Sequence, residues 1–325
     1  MRSTKETLRS LAPGLLVFAA VFALATPNPA WAKRRKPAAS GPDPTSVSAC
    51  GTLSGNNVIY QVTADITTAS TGTCITLSGN NSAFDLHGFT ITGPGGSSNG
   101  SGIWVKGNLN VIEGLNGLVT GFKYGVTDTG NGTVGDDINL TDNGTGLFTS
   151  STQSTRWTNM EVAGNTSNGI YLYDCDDGCS ITDFFAHDNG LDGVLVVDSE
   201  NAKLDLFTAT SNGGDGVHIG APCTSGYGCK RNSGVVVADG FAGIADMADP
   251  LGPNIGSGVV LDLSEAASQD KVTVIRATGN MIDLFDETTN CGSNPFNLWF
   301  NNEYDTSKAG STLSPTCILP SIPLG

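Results

Sequence analysis

The sequence predicts an all-β solenoid of about nine stacked coils, and three observations predict it. A four-residue phrase (glycine, an aliphatic residue, any residue, another aliphatic) recurs at nearly constant spacing. Apolar residues within it alternate with period two, and asparagine returns in the turn that closes each unit.

The phrase starts at Cys74, Gly102, Gly125, Gly146, Gly169, Gly193, Gly216, Gly258 and Met281, the first and last copies lacking the glycine. Successive offsets are 28, 23, 21, 23, 24, 23, 42 and 23 residues. The first and third residues after the start are mostly apolar, as in Ile103 and Val105, Ile170 and Leu172, or Val217 and Ile219. That is the period of a strand with one buried face. Alternating runs follow at residues 181–186, 204–209 and 272–277. Turns carry Asn143, Asn165, Asn189, Asn212 and Asn280.

At about 3.3 Å per residue, such a period suits three short strands and tight turns wound into one rung. Stacked rungs pair their strands in parallel, and asparagine at equivalent turns can bond the neighbouring turn's backbone. The 42-residue step reads as one rung with loops at residues 223–229 and 246–254.

Residues 1–32 read as a secretory signal: Arg2, Lys5 and Arg9, an apolar stretch at 11–25, then Ala30-Trp31-Ala32 for cleavage. Residues 33–49 read as a disordered linker, and residues 50–325 as the solenoid domain. Beyond residue 36, nine Lys/Arg face thirty Asp/Glu, a net charge near −21. This disfavours nucleic acid and anionic membranes, and suits a soluble, monomeric chain exported to periplasm or medium. The acidity also suits Ca2+. Eight cysteines in an exported chain point to disulfides. Sequence proximity pairs Cys50–Cys74, Cys175–Cys179, Cys223–Cys229 and Cys291–Cys317, among 105 formal pairings.

Two segments carry a family resemblance. Residues 79–93, Gly79-Asn80-Asn81 through Phe84-Asp85-Leu86-His87-Gly88 to Gly93, resemble the opening rung of secreted bacterial right-handed parallel β-helix proteins. Cys291 to Asn302, with Ser314-Pro315-Thr316-Cys317, is similar to their closing segment. The resemblance spans roughly residues 50–320. It implies the pectate-lyase-like superfamily, a right-handed parallel β-helix and the binding or cleavage of polysaccharide. Signatures of particular reactions are mostly missing. Gly216-Val217-His218-Ile219-Gly220 is not Gly-His-Gly, and His187-Asp188 retains only half of Asp-Pro-His-Asp.

The phrase also assigns what points outward. Its second residue after the start gives Trp104, Phe148, Tyr171 and His218, and its fourth gives Tyr173. With rungs about 4.8 Å apart, Trp104, Phe148, Tyr171 and Tyr173 form a candidate platform for sugar rings. The alternative is that stacked aromatics merely stabilise the sheet. Asp174 and Asp198 hold matching places on successive rungs, as do Asp192 and Asp215. Paired carboxylates serve as acid and nucleophile on a glycosidic bond, or share Ca2+. Asp174 and Asp198, with His218 as proton carrier, are the candidate catalytic set for a hydrolase or lyase. Asp192 and Asp215 are the candidate metal ligands. The competing reading is a non-catalytic surface or matrix protein, because aspartate before glycine is also an ordinary turn residue.

Overall fold

The computed structural model describes residues 43–95, 98–220, 232, 234–243, 254–261, 270–278, 280, 282–286, 298–300, 302–304 and 307–309. All lie in one compact unit, Pro42–Gly325. The expected signal and the pairs Cys223–Cys229 and Cys291–Cys317 fall outside the described residues. Among the described residues there is no α-helix, and hence none long and apolar enough to cross a membrane.

Parallel strands in stacked coils form two long sheets, one of 14 strands and one of 11. Each phrase copy contributes one strand to the 11-stranded sheet, hereafter the phrase sheet. Register follows the phrase alignment: Ile103, Val126, Leu147, Ile170, Val194, Val217 and Val259 are successive partners. The last copy departs from it, since Val259 faces Leu284 and not Ile282. A slip of two residues leaves every side chain on its own face. Leu284 therefore stays buried, and Phe285 rather than Asp283 continues the outward row.

Strands of the other sheet, such as Arg156–Ala163, Ser180–His187 and Lys203–Thr210, are longer but not straight. Each turns a corner at one left-handed residue: Asp137, Asn159, Asp183, Leu206 or Asp239, with φ between 48° and 57°. Pairing skips that position in every rung. One rung therefore has three straight segments. Asp and Asn adopt this conformation readily; exposed Leu206 is the misfit in the row.

The asparagines form a buried ladder. Asn143 N–H donates to Asn165 Oδ1 (2.9 Å), Asn165 to Asn189 (3.2 Å), Asn189 to Asn212 (3.2 Å), and Asn212 to Asn254 (3.1 Å). Asn254 then donates to Asn280 (3.1 Å). Asn254 fills the rung whose long step hides it in the sequence. The ladder also explains why the phrase begins with glycine. A Cβ at Gly169 would lie 2.6 Å from the Gly193 carbonyl oxygen and 2.7 Å from Asn189 Nδ2. Gly193 is closed in the same way by Gly216 and Asn212. Glycine is required there by crowding between rungs, not by backbone dihedral.

Two findings lie apart from the pattern. Thr45–Val47 pairs with Ile59–Val62 and buries Val47, so the folded region starts within the stretch that composition reads as linker. The core is lined by the inward aliphatic residues, but the Gly125 copy places Asp128 there, fully buried. Its carboxylate accepts from Gly130 N (3.0 Å), Thr133 Oγ1 (3.0 Å), Thr155 Oγ1 (2.7 Å) and Trp157 Nε1 (3.3 Å). Burial, only partly offset by these donors, pushes its pKa up to about 6. Disulfides Cys50–Cys74 and Cys175–Cys179 are formed, the pairings that sequence proximity predicts.

Candidate functional site

Two neighbouring rows of side chains run along the outer face of the phrase sheet. One holds the residue two after the phrase start. Thr76, Trp104, Thr127, Phe148, Tyr171, Leu195, His218 and Val260 are in direct register there. The other holds the residue just before each phrase: Ser101, Tyr124, Thr145, Asn168, Asp192, Asp215 and Ser257. The rows touch repeatedly, as where Ser101 Oγ meets Thr127 Oγ1 at 2.7 Å.

At one end the rows carry aromatics. Tyr124 stacks on Phe148 with centroids 4.9 Å apart, and Phe148 meets Tyr171 at 5.3 Å. Tyr173 meets the edge of Tyr171 at 6.2 Å. The first two separations are close to the strand spacing, so Tyr124, Phe148 and Tyr171 pile along the coil axis, while Tyr173 flanks Tyr171 on its own strand. Tyr124 is the member that sequence reasoning missed. It precedes the glycine, in a row where only aspartate repeats on successive rungs. Trp104 donates from Nε1 to Thr129 Oγ1 (3.1 Å), with Lys106 Nζ lying 3.6 Å from its ring centroid. Lys123 Nζ similarly lies 5.0 Å from the Tyr124 ring.

Two strands beyond Tyr171 the face becomes ionisable. His218 Nδ1 is 3.0 Å from Asp215 Oδ2 and 3.8 Å from Asp192 Oδ2. The structure thus brings the expected proton carrier to the expected metal pair. Backbone bonding fixes the carboxylates: Asp215 N donates to Asp192 Oδ1 (2.8 Å), and Ser257 N donates to Asp215 Oδ1. Asn168 Oδ1 does the same for Asp192 N, at 3.1 Å. One oxygen of each aspartate holds the next rung, while the other faces the imidazole. Side chains of Asp192, Asp215 and His218 keep 16%, 19% and 21% exposure, enclosed but open to a ligand. Burial is the main cause raising the Asp192 pKa; the Asp215 backbone N–H and His218 oppose it, and the Asp215 charge adds to it.

Asp192, Asp215 and His218 each offer one ligand atom, all within 4.8 Å of one another, a set that could hold a divalent cation. Two carboxylates suit Ca2+; the imidazole suits a softer ion such as Zn2+. Asp174 and Asp198 occupy another row, Asp174 within the strand Ile170–Asp176 and Asp198 just after Val194–Val197, both in left-handed backbone with φ of 50° and 52°. Asp174 Oδ2 accepts from Ser151 Oγ at 2.7 Å. Asp198 is among the charges that raise the Tyr171 pKa, behind burial and Tyr173. Asp192 and Asp198 are six residues apart across one strand, up to about 20 Å if fully extended.

No protein-family model matches the chain, and neither does any curated protein. Solved structures do. The Dettilon tailspike protein aligns over 81% of this chain and 54% of its own, at 13% identity and a TM-score of 0.62. A tailspike of E. coli bacteriophage HK620, in complex with pentasaccharide, aligns over 81% and 53%, at 11% identity and a TM-score of 0.50. The chain spans about half the length of these tailspikes. Likeness at this identity speaks to fold, and together with the stacked parallel strands it makes this chain a parallel β-helix protein.

Proposed function

We propose that the chain is an exported protein that binds an extracellular or cell-wall polysaccharide along the outer face of its phrase sheet. We further propose that it cleaves the polymer at Asp192, Asp215 and His218. One observation carries this reading: the same two rows bear the Tyr124–Phe148–Tyr171 ladder and, two strands on, the paired carboxylates with their imidazole. An extended glycan lies along such rows, apolar sugar faces and edges against the aromatics, with one linkage at the acid pair. The pentasaccharide held by the HK620 tailspike is a precedent for glycan binding by a protein of similar fold.

Cleavage needs two groups with different proton affinities. Asp192, whose burial favours the protonated form, is the donor to the leaving oxygen. Asp215 turns Oδ2 toward the sugar as the second carboxyl, which activates the water that takes the anomeric carbon as the leaving oxygen departs, and His218 Nδ1, 3.0 Å away, orients it. Asp174 and Asp198, with Tyr173, then line the far side of the strand as positioning groups. The test is a glycan array on the mature chain, followed by product analysis on every hit. Binding with shorter products supports the full reading; binding without products removes the cleavage.

The non-catalytic reading has its own supporting observation. Phe148 is flanked by Tyr124 and Tyr171, and Lys106 covers Trp104, so much of the aromatic surface serves the sheet itself. That reading predicts no glycan retention on the array.

A further inference from the structure

Resting on the glycan reading of this face, burial along it decides how much chain fits on each side of the acid pair. In the outward row, Thr76, Trp104, Phe148, Tyr171, Leu195 and His218 are all partly exposed. Thr127, the buried exception, is a small residue between Trp104 and Phe148. At about 4.8 Å per rung, the open row runs roughly 29 Å from Thr76 to His218. One rung later it stops. Val260, in register with His218 and outward like it, is only 4% exposed. The strand Ser257–Leu261 is buried at all five positions, whereas every earlier strand of the phrase sheet keeps a residue at least partly exposed. Gly220, just after the His218 strand, is buried as well.

Asp192 and Asp215 therefore lie in the last two open rungs, not midway along the face. On the ladder side, a glycan has the whole row from Leu195 back to Trp104. On the other side, the buried strand leaves room for about one sugar, since a sugar ring is about as long as a rung. A chain running through would have to cross Val260, where no surface is open to it. A chain that ends at the acid pair meets no such obstacle. We propose that the site is chain-end specific: it holds a glycan by one terminus and hydrolyses the linkage nearest that terminus, releasing a short product. Water adds across that one linkage. Its hydroxyl goes to the anomeric carbon and its proton to Asp215, while the leaving oxygen takes the proton of Asp192.

The test reads orientation and product length on the mature chain. Array oligosaccharides, among them galacturono-, chito- and cello-hexaose, are printed twice, once through the reducing end and once through the other. Retention should favour one orientation by about tenfold or more, because the tethered terminus clashes at Val260. Polymers of the retained sugars should then yield one short product from the start, with viscosity falling slowly. One-sided retention without products supports chain-end binding and overturns the cleavage. Equal retention in both orientations, or a spread of intermediate lengths with early loss of viscosity, overturns the inference and leaves the glycan reading standing. Such a result would extend the face past Val260 to Phe285, which follows it in register. An empty array in both orientations overturns the glycan reading too.

Discussion

The asparagine ladder and the Asp192–Asp215 row solve one structural problem with different chemistry. In both, a side-chain oxygen accepts from the backbone N–H of an adjacent rung, as Asn212 does for Asn189 and Asp192 for Asp215. The ladder is neutral and buried, and its amide nitrogens are used as well: Asn189 Nδ2 donates to Val162 O at 3.0 Å and to Asn212 Oδ1 at 3.0 Å. The aspartate row uses half of each side chain for the fold and turns the other half to His218. Asn168, in the same row, demonstrates that an amide is sufficient for the turn. A second nearby carboxylate adds desolvation and repulsion that the fold does not require. Chemistry in excess of what the turn needs distinguishes the end of the face proposed for function.

That contrast can be broken most forcefully in the ladder. Asn189→Ala removes both donations of Nδ2 and strips Asn165 of an acceptor for its N–H (3.2 Å) and its Nδ2 (2.9 Å). Buried groups left without partners cost the full desolvation of each, so a loss of about 3–4 kcal/mol in urea unfolding is expected. A loss under about 1 kcal/mol would mean that water replaces the ladder.

Asp128 extends the contrast to a carboxylate fully inside the coil. Its folded pKa is about 6, against an ordinary value of 3.8. The folded state therefore keeps the proton longer than the unfolded chain. Stability should fall as pH rises from about 4 to about 6, by about 3 kcal/mol in all, with no further change from this group above about pH 7. Asp128→Asn should flatten that slope in a series of urea midpoints; an unchanged slope assigns it to other groups.

Leu206 tests the corner row. It is held at φ 52° where its neighbours are Asp183 and Asp239, and it is 57% exposed. Leu206→Asn should stabilise the chain by about 1 kcal/mol, read from the thermal midpoint, because asparagine tolerates the left-handed well and no packing is lost. The smallest stability effect belongs to the row proposed for function. Asp192→Asn with Asp215→Asn should leave stability at neutral pH within about 0.5 kcal/mol of the parent. A loss of several kcal/mol would make the aspartates structural and remove the contrast.

Much of this was legible in single residues. Period two in Ile170 and Leu172, the spacing of the glycines and the recurring asparagines identified the coil, its parallel pairing and the inward rows. Asn254 was hidden because a long rung breaks the count, and the Leu284 register because a slip of two residues changes no face. Tyr124 was hidden because it lies outside the phrase, and its ring reaches Phe148 only across a rung. Val47 was hidden by the polar composition around it.

The sequence by itself determined the coil, since a local period acts between identical neighbours and needs no distant partner to be read. It also named Asp192, Asp215 and His218 as chemical candidates, but it paired the two aspartates with each other and placed His218 with Asp174 and Asp198. Only tertiary structure brought the three together. The direction in which each side chain leaves its rung depends on which oxygen the next rung's backbone takes, and that choice exists only once the rungs are stacked.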